Sequence, residues 1–124
     1  MSDFKNKSLE DRLHEFKTIR KNHPDKIPII CEKAKKSTIS EQYSVNLDKD
    51  IDKHKFLVPE HFSMGQFSYI IRRRLNISQE EALFIYVNNN KIISSSQSLI
   101  SVYEENKSQD GFLYIQYGSE NTFG

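Results

Sequence analysis

A capping box at Ser63-Met64-Gly65-Gln66 constrains this chain more than any other feature. A Ser followed three residues later by Gln satisfies two backbone N–H groups reciprocally at a helix start. Met64, Phe67, Ile70, Ile71 and Leu75 then recur at helical spacing. One helix with an apolar face is therefore fixed near the middle of 124 residues. Short apolar runs lie on either side of it. Ile27-Pro28-Ile29-Ile30-Cys31 and Lys55-Phe56-Leu57-Val58 come before. Leu83-Phe84-Ile85-Tyr86-Val87 and Phe112-Leu113-Tyr114-Ile115-Gln116-Tyr117 come after. Pro59, Asn88-Asn89-Asn90 and Asp110-Gly111 bound these runs, so they read as strands. The length suits one domain. Eight Phe and six Tyr can fill one core despite a mean hydropathy of −0.68.

Two further helices are predicted. Ser8 is an N-cap, with Asp11 three residues on as a weaker capping box, and Leu9, Leu13, Phe16 and Ile19 share one face. Pro24 restricts the residue before it and ends the helix at Asn22-His23. A shorter helical piece precedes it around Asp3–Lys7. A short helix from Gln97 to Asn106 turns Leu99, Val102 and Tyr103 inward. Pro28 cannot donate to a ladder, so it belongs near its strand's start or at an unpaired position. The order is helix, strand, strand, helix, strand, short helix, strand. That is the order of the ubiquitin-like β-grasp, an α+β fold, here with a four-stranded mixed sheet and extra N-terminal helices. Residues 1–26 read as a helical extension, 27–117 as the core and 118–124 as a flexible tail. Residues 33–55 are polar and lack periodicity, which marks Thr38 to Asp52 as a mobile surface insertion.

Composition and spacing exclude much. With 18 basic against 17 acidic residues, the chain is no broad polyelectrolyte for nucleic acid. No apolar run approaches a bilayer span, the N-terminus shows no signal-peptide core, and the C-terminus shows no prenylation Cys. A single Cys31 excludes an internal disulfide. Cys31 alternates with Ile27 and Ile29, which marks a small buried residue rather than a nucleophile. His14, His23, His54 and His61 form no i, i+4 pair and have no Cys partner at ligand spacing. Neither an enzyme nor a metal or other cofactor is expected. Arg72-Arg73-Arg74 fan over about 200° of a helix and read as solvated side chains with buried stems.

Phe56-Leu57-Val58 is the informative strand. It is short, flanked by Lys53, His54 and Lys55, and stopped by Pro59. Charges and Pro blunt a sheet edge against aggregation. The same edge can accept one extended peptide as an added strand, with apolar pockets choosing side chains and the lysines favouring acidic sequence.

Taken in order, Ile27-Pro28-Ile29-Ile30-Cys31-Glu32-Lys33, Lys55-Phe56-Leu57-Val58-Pro59, Gly65-Gln66-Phe67, Ile71-Arg72-Arg73-Arg74, Leu83-Phe84-Ile85-Tyr86-Val87-Asn88-Asn89, Asp110-Gly111-Phe112-Leu113-Tyr114 and Thr122-Phe123-Gly124 resemble the autophagy ubiquitin-like modifiers, the GABARAP and microtubule-associated light-chain family. The resemblance runs from about Ser8 to Gly124. It implies conjugation of the Gly124 carboxylate to phosphatidylethanolamine through activating and conjugating enzymes, and release by a deconjugating cysteine protease. A Gly lacks the Cβ that would obstruct a narrow catalytic cleft. It also implies docking of cargo receptors and adaptors through aromatic-x-x-aliphatic motifs. Glu15, Ile19, Pro28, Ile30, Lys55, Leu57 and Phe112 match the pocket for the aromatic residue. Phe56, Val58, Pro59, Phe62, Phe67 and Ile70 match the pocket for the aliphatic one, although Phe67 and Ile70 also read as core. Lys26, Lys53, Lys55 and Arg74 match contacts to acidic residues. Leu83, Phe84, Ile85 and Tyr86 match a second partner surface that reads equally well as core. The implied protein is a monomer, cytoplasmic when free and on autophagosomes or another intracellular membrane when lipidated. An unconjugated peptide-binding adaptor, and a modifier of a non-autophagic membrane, stay open as alternatives. The chain departs from the family in the longer Thr38–Asp52 segment and in Lys91-Ile92-Ile93, which stand where a Pro-Pro pair is usual.

Overall fold

The structure is a computed structural model and describes residues 3–34, 54–88 and 91–118. A short 3-10 helix, Asp3–Asn6, precedes helix α1, Leu9–Asn22. Strands β1, Lys26–Lys33, and β2, Lys55–Pro59, follow. Then come helix α2, Met64–Arg74, and strands β3, Phe84–Val87, and β4, Lys91–Ile92. Helix α3, Leu99–Asn106, and strand β5, Leu113–Gly118, complete the described chain. The insertion read over Thr38 to Asp52 and the tail beyond Gly118 lie outside the described residues.

The helix starts follow local chemistry. Ser8 Oγ accepts from Asp11 N at 3.1 Å. At α2 both halves of the capping box form: Gln66 N donates to Ser63 Oγ, and Ser63 N donates to Gln66 Oε1 at 2.8 Å. Ser98 caps α3 by accepting from Ser101 N, so that helix starts two residues later than the sequence pattern suggests.

The sheet has five strands in the order β2-β1-β5-β3-β4, not the four expected. The addition is β4, which pairs Lys91 with Val87 and Ile92 with Tyr86. Two residues give no periodicity to read. β1 and β5 are parallel and the other pairs antiparallel, so the sheet is mixed, as expected.

Strand alternation sorts side chains onto two faces. Ile27, Ile29, Cys31, Phe56, Val58, Leu113, Ile115 and Tyr117 face the main core, where α2 adds Met64, Phe67, Ile71 and Leu75 and α3 adds Leu99, Val102 and Tyr103. On the opposite face Ile30 and Phe112 meet Phe4, with Phe16, Ile19 and Tyr114 packed around them. No residue of α1 is fully buried, so the helix lies on this second face as a cover. Gly111 makes the cover possible. Its φ is +91°, and a Cβ there would stand 2.5 Å from the Phe16 ring.

Candidate functional site

β2 is an edge strand, and its register decides which groups face outward. Cys31 N donates to the carbonyl of His54 directly opposite at 2.8 Å. Bonded and non-bonded pairs alternate along an antiparallel ladder. Ile29 with Phe56 and Ile27 with Val58 are therefore bonded pairs, while Ile30 with Lys55 and Pro28 with Leu57 are not. The backbone groups of Lys55 and Leu57 thus point away from β1, along the open edge. Pro28 costs no ladder bond toward β2 and precedes the first β5 partner, Ile29.

A recess of about 340 Å³ wraps this edge, lined by Ile19, Ile29, Lys55, Phe56, Leu57, Arg74 and Phe112. Its mainly apolar lining and its size suit a large side chain; ligand pockets start at roughly 300 Å³. Of the seven residues expected at the aromatic pocket, Ile19, Lys55, Leu57 and Phe112 line it. Leu57 is 38% exposed, an apolar side chain left open to solvent. Pro28 is buried, and Ile30 is buried beside Phe112 behind the pocket floor. Glu15 lies at the rim. Its carboxylate accepts from Lys55 Nζ at 2.6 Å and from Lys7 Nζ at 3.3 Å. Partial burial pushes the Glu15 carboxyl upward, but the hydrogen bonds and charges of Lys55 and Lys7 outweigh it and hold its pKa below the usual value.

A second recess of about 380 Å³ is lined by Tyr69, Ile70, Arg73 and Arg74. Only Ile70 comes from the residues expected at the aliphatic pocket. Phe56, Val58 and Phe67 are almost fully buried, with Phe56 edge-on to Phe67 at 5.5 Å, so they are core beneath this surface. Pro59, the last residue of β2, and Phe62 beyond it are half-buried. Tyr69 is 54% exposed and lies under Arg73 at 5.8 Å.

The arginine run is not simply solvated. Arg73 is exposed, but Arg72 donates to Ser78 O at 2.7 Å and to Glu81 O at 2.8 Å, pinning the loop that leads to β3. Arg74 donates to Lys55 O and lies 4.1 Å over the Phe56 ring. Lys26 is half-buried at the far end of β2, paired with Pro59. Lys53 and Gly124 lie outside the described residues. On the other flank of the sheet, Leu83 and Phe84 are half-buried, whereas Ile85 and Tyr86 are buried.

Two groups escaped the sequence reading. Asp110 is fully buried and takes Arg12 Nη1 at 2.7 Å, Phe112 N at 2.9 Å and the Tyr114 hydroxyl. This network ties α1 to the start of β5, so it fixes Ile19 over Phe112. Burial first, and the hydrogen bond to Asp110 second, push the Tyr114 phenol well above its ordinary range. The hydrogen bond to Asp110 likewise raises the Arg12 guanidinium. Phe4 is the other. Its ring is buried 4.7 Å from Phe112, under Lys55 Nζ at 4.8 Å. A lone aromatic in a polar N-terminal run, and an Asp before a turn Gly, were the available signals.

Among the described residues no cluster of His, Cys, Asp and Glu could hold a metal, and no helix is long and apolar enough to cross a membrane. Cys31 lies in the main core, as its alternation with Ile27 and Ile29 indicated.

A mixed sheet wrapped around α2, with α1 added on its far face, defines a ubiquitin-like fold with an open edge at β2. Comparison with known proteins narrows the class. The family described as "Autophagy protein Atg8 ubiquitin like" matches residues 11–124. Autophagy-related protein 8 of Schizosaccharomyces pombe is 48% identical over 118 residues, covering 94% of this chain and 88% of that protein. Autophagy-related protein 8d of Arabidopsis thaliana is 44% identical over 126 residues, covering 100% and 96%. The crystal structure of Trypanosoma brucei ATG8 superposes with a TM-score of 0.83 at 38% identity, covering 100% of this chain and 99% of that one. The chain belongs to the Atg8 family of ubiquitin-like autophagy proteins.

Proposed function

We propose that this chain is a modifier, joined through Gly124 to phosphatidylethanolamine by activating and conjugating enzymes. On the autophagosomal membrane it docks cargo receptors and adaptors bearing aromatic-x-x-aliphatic motifs. The observation that carries the docking half is the outward pair Lys55 and Leu57 on an edge that no described strand covers, with a recess at the pair and a second that shares Arg74 with it. A peptide strand can bond to that backbone while its side chains enter the recesses. The conjugation half is supported by family membership, whose match extends to Gly124.

Incubation with the activating and conjugating enzymes, ATP and phosphatidylethanolamine liposomes tests conjugation. The chain floats with the liposomes, and Gly124→Ala leaves it in the soluble fraction without altering its melting temperature. Attachment that survives Gly124→Ala overturns the assignment. Calorimetric titration with an aromatic-x-x-aliphatic peptide tests docking separately.

A further inference from the structure

Tyr117 is fully buried, yet among the described residues none offers its hydroxyl a hydrogen bond. Tyr103, buried in the same core, donates to the Gly111 carbonyl at 2.7 Å. A buried hydroxyl without a partner loses its hydration and gains nothing in return. Phe would fill the same space without that loss. The hydroxyl therefore favours any opening that lets water reach it.

The place of Tyr117 in the sheet decides which opening breaks fewest bonds. β1 ends at Lys33, the partner of Tyr117, and β3 begins at Phe84, the partner of Gly118. Beyond Tyr117 the sheet holds one more residue pair, Phe84 with Gly118, where β5 ends. The Tyr117 carbonyl accepts from Ala34 N at 2.8 Å, just past the end of β1. Gly124 lies six residues beyond Gly118.

We propose that the Tyr117 hydroxyl makes the end of β5 a release point: Tyr117 and Gly118 leave the sheet together, the hydroxyl gains water, and Gly124 reaches farther from the folded body. This rests on the conjugation reading given under Proposed function. Exposing the ring opposes release, so the released form is a minor state whose population the hydroxyl raises. Two strand residues add about 6–7 Å of extended chain. A terminal glycine that must enter a narrow cleft uses that reach, because the body of the fold stays outside the cleft. Tyr117 is thus a positioning residue for conjugation that acts through the tail.

Amide hydrogen exchange, followed by NMR, reads the release. In wild type the Ala34 amide, held by the Tyr117 carbonyl, exchanges faster than the Leu99 amide, held by the Phe62 carbonyl at 2.9 Å. Tyr117→Phe raises the melting temperature and slows Ala34 exchange about 5- to 30-fold, the scale of one hydroxyl no longer buried unpaired. Ala34 exchange as slow as that of Leu99 in wild type, or unchanged in Tyr117→Phe, overturns the release. A lower melting temperature for Tyr117→Phe also overturns it, because the hydroxyl then has a partner.

The link to the tail is tested by the rate of attachment to phosphatidylethanolamine liposomes at limiting conjugating enzyme. Tyr117→Phe slows attachment by a similar factor, and inserting Gly-Ser between Gly118 and Ser119 restores the rate. A merely structural defect is not repaired by a longer tail. Attachment that is not slowed, or that the insertion does not restore, overturns the proposal and leaves the conjugation reading standing. A wild-type chain that is never attached overturns the conjugation reading and the proposal together.

Discussion

On one face of the sheet, Ile27, Ile29, Phe56, Val58, Leu113 and Ile115 disappear beneath α2 and α3. On the other, the buried apolar cluster is Ile30, Phe112 and Phe4, with half-buried Phe16, Ile19 and Tyr114 packed against it. The second face relies on polar ties in place of apolar area. Asp110 holds Arg12 and Tyr114, and Glu15 holds Lys55 and Lys7. The difference separates a water-excluding core from a surface that stays accessible. The first face excludes water and sets the fold. The second keeps apolar surface such as Leu57 accessible, because its cover is small and held by charge.

The comparison breaks first if the faces respond alike to truncation. Phe67→Ala empties a fully buried site of the main core and should cost about 3–5 kcal/mol in denaturant unfolding. Leu57→Ala should barely move the unfolding midpoint, yet weaken a docked aromatic-x-x-aliphatic peptide by about 1.5–3 kcal/mol, roughly 10- to 150-fold, as a Leu-sized surface is lost. A large stability loss at Leu57, or binding like wild type, would remove the distinction.

Gly111→Ala sharpens it. The new Cβ must adopt a positive φ and meets Phe16 at 2.5 Å, so α1 has to lift. We expect a loss of about 2 kcal/mol by thermal or denaturant unfolding. Chemical-shift changes should be concentrated at Phe16, Ile19 and Phe112 and at Tyr103, whose hydroxyl donates to the Gly111 carbonyl, and absent from β4.

Glu15→Gln should have the smallest effect, about 0.5 kcal/mol or less at neutral pH, because the Glu15–Lys55 pair is partly exposed. The sign with pH follows from the lowered pKa of Glu15. A depressed carboxyl contributes stability above its unfolded value, near ~4.3, and that contribution is lost as pH falls through the folded value. Wild type and variant should therefore converge in parallel urea titrations once the pH falls below the lowered folded value of Glu15. A difference that persists in acid would mean that packing, not charge, holds this rim.

Local chemistry was legible in the sequence, and long-range polar chemistry was not. Ser8 and Ser63 could be read because a cap and its partner lie three residues apart. The β-grasp order followed from strand alternation and one capped helix. β4 escaped because Lys91 and Ile92 are both exposed and too few to show a period. The recess walls at Ile19, Leu57 and Phe112 were named from the family resemblance; periodicity alone marked them only as apolar. The bond from Arg74 to the Lys55 carbonyl has no sequence signal, since it joins elements that no spacing rule connects. Asp110 looked like a turn residue because its partner Arg12 is at the opposite end of the chain.

β1 lies between β2 and β5, and its parallel partners Leu113 to Tyr117 come from the last described strand. The first strand therefore cannot complete its hydrogen bonding until almost all of the chain is available. Sheet closure of this kind carries the entropy of a very long loop and raises contact order, which slows folding relative to a helical bundle of similar size. During synthesis β1 and β2 can form a hairpin early, but the β5 side of that hairpin stays an open edge until residues 113–118 emerge. A nascent chain halted before β5 would leave the backbone groups of Ile30 and Glu32 that point away from β2 without the strand that β5 supplies. The last described strand thus sets the moment at which this edge closes.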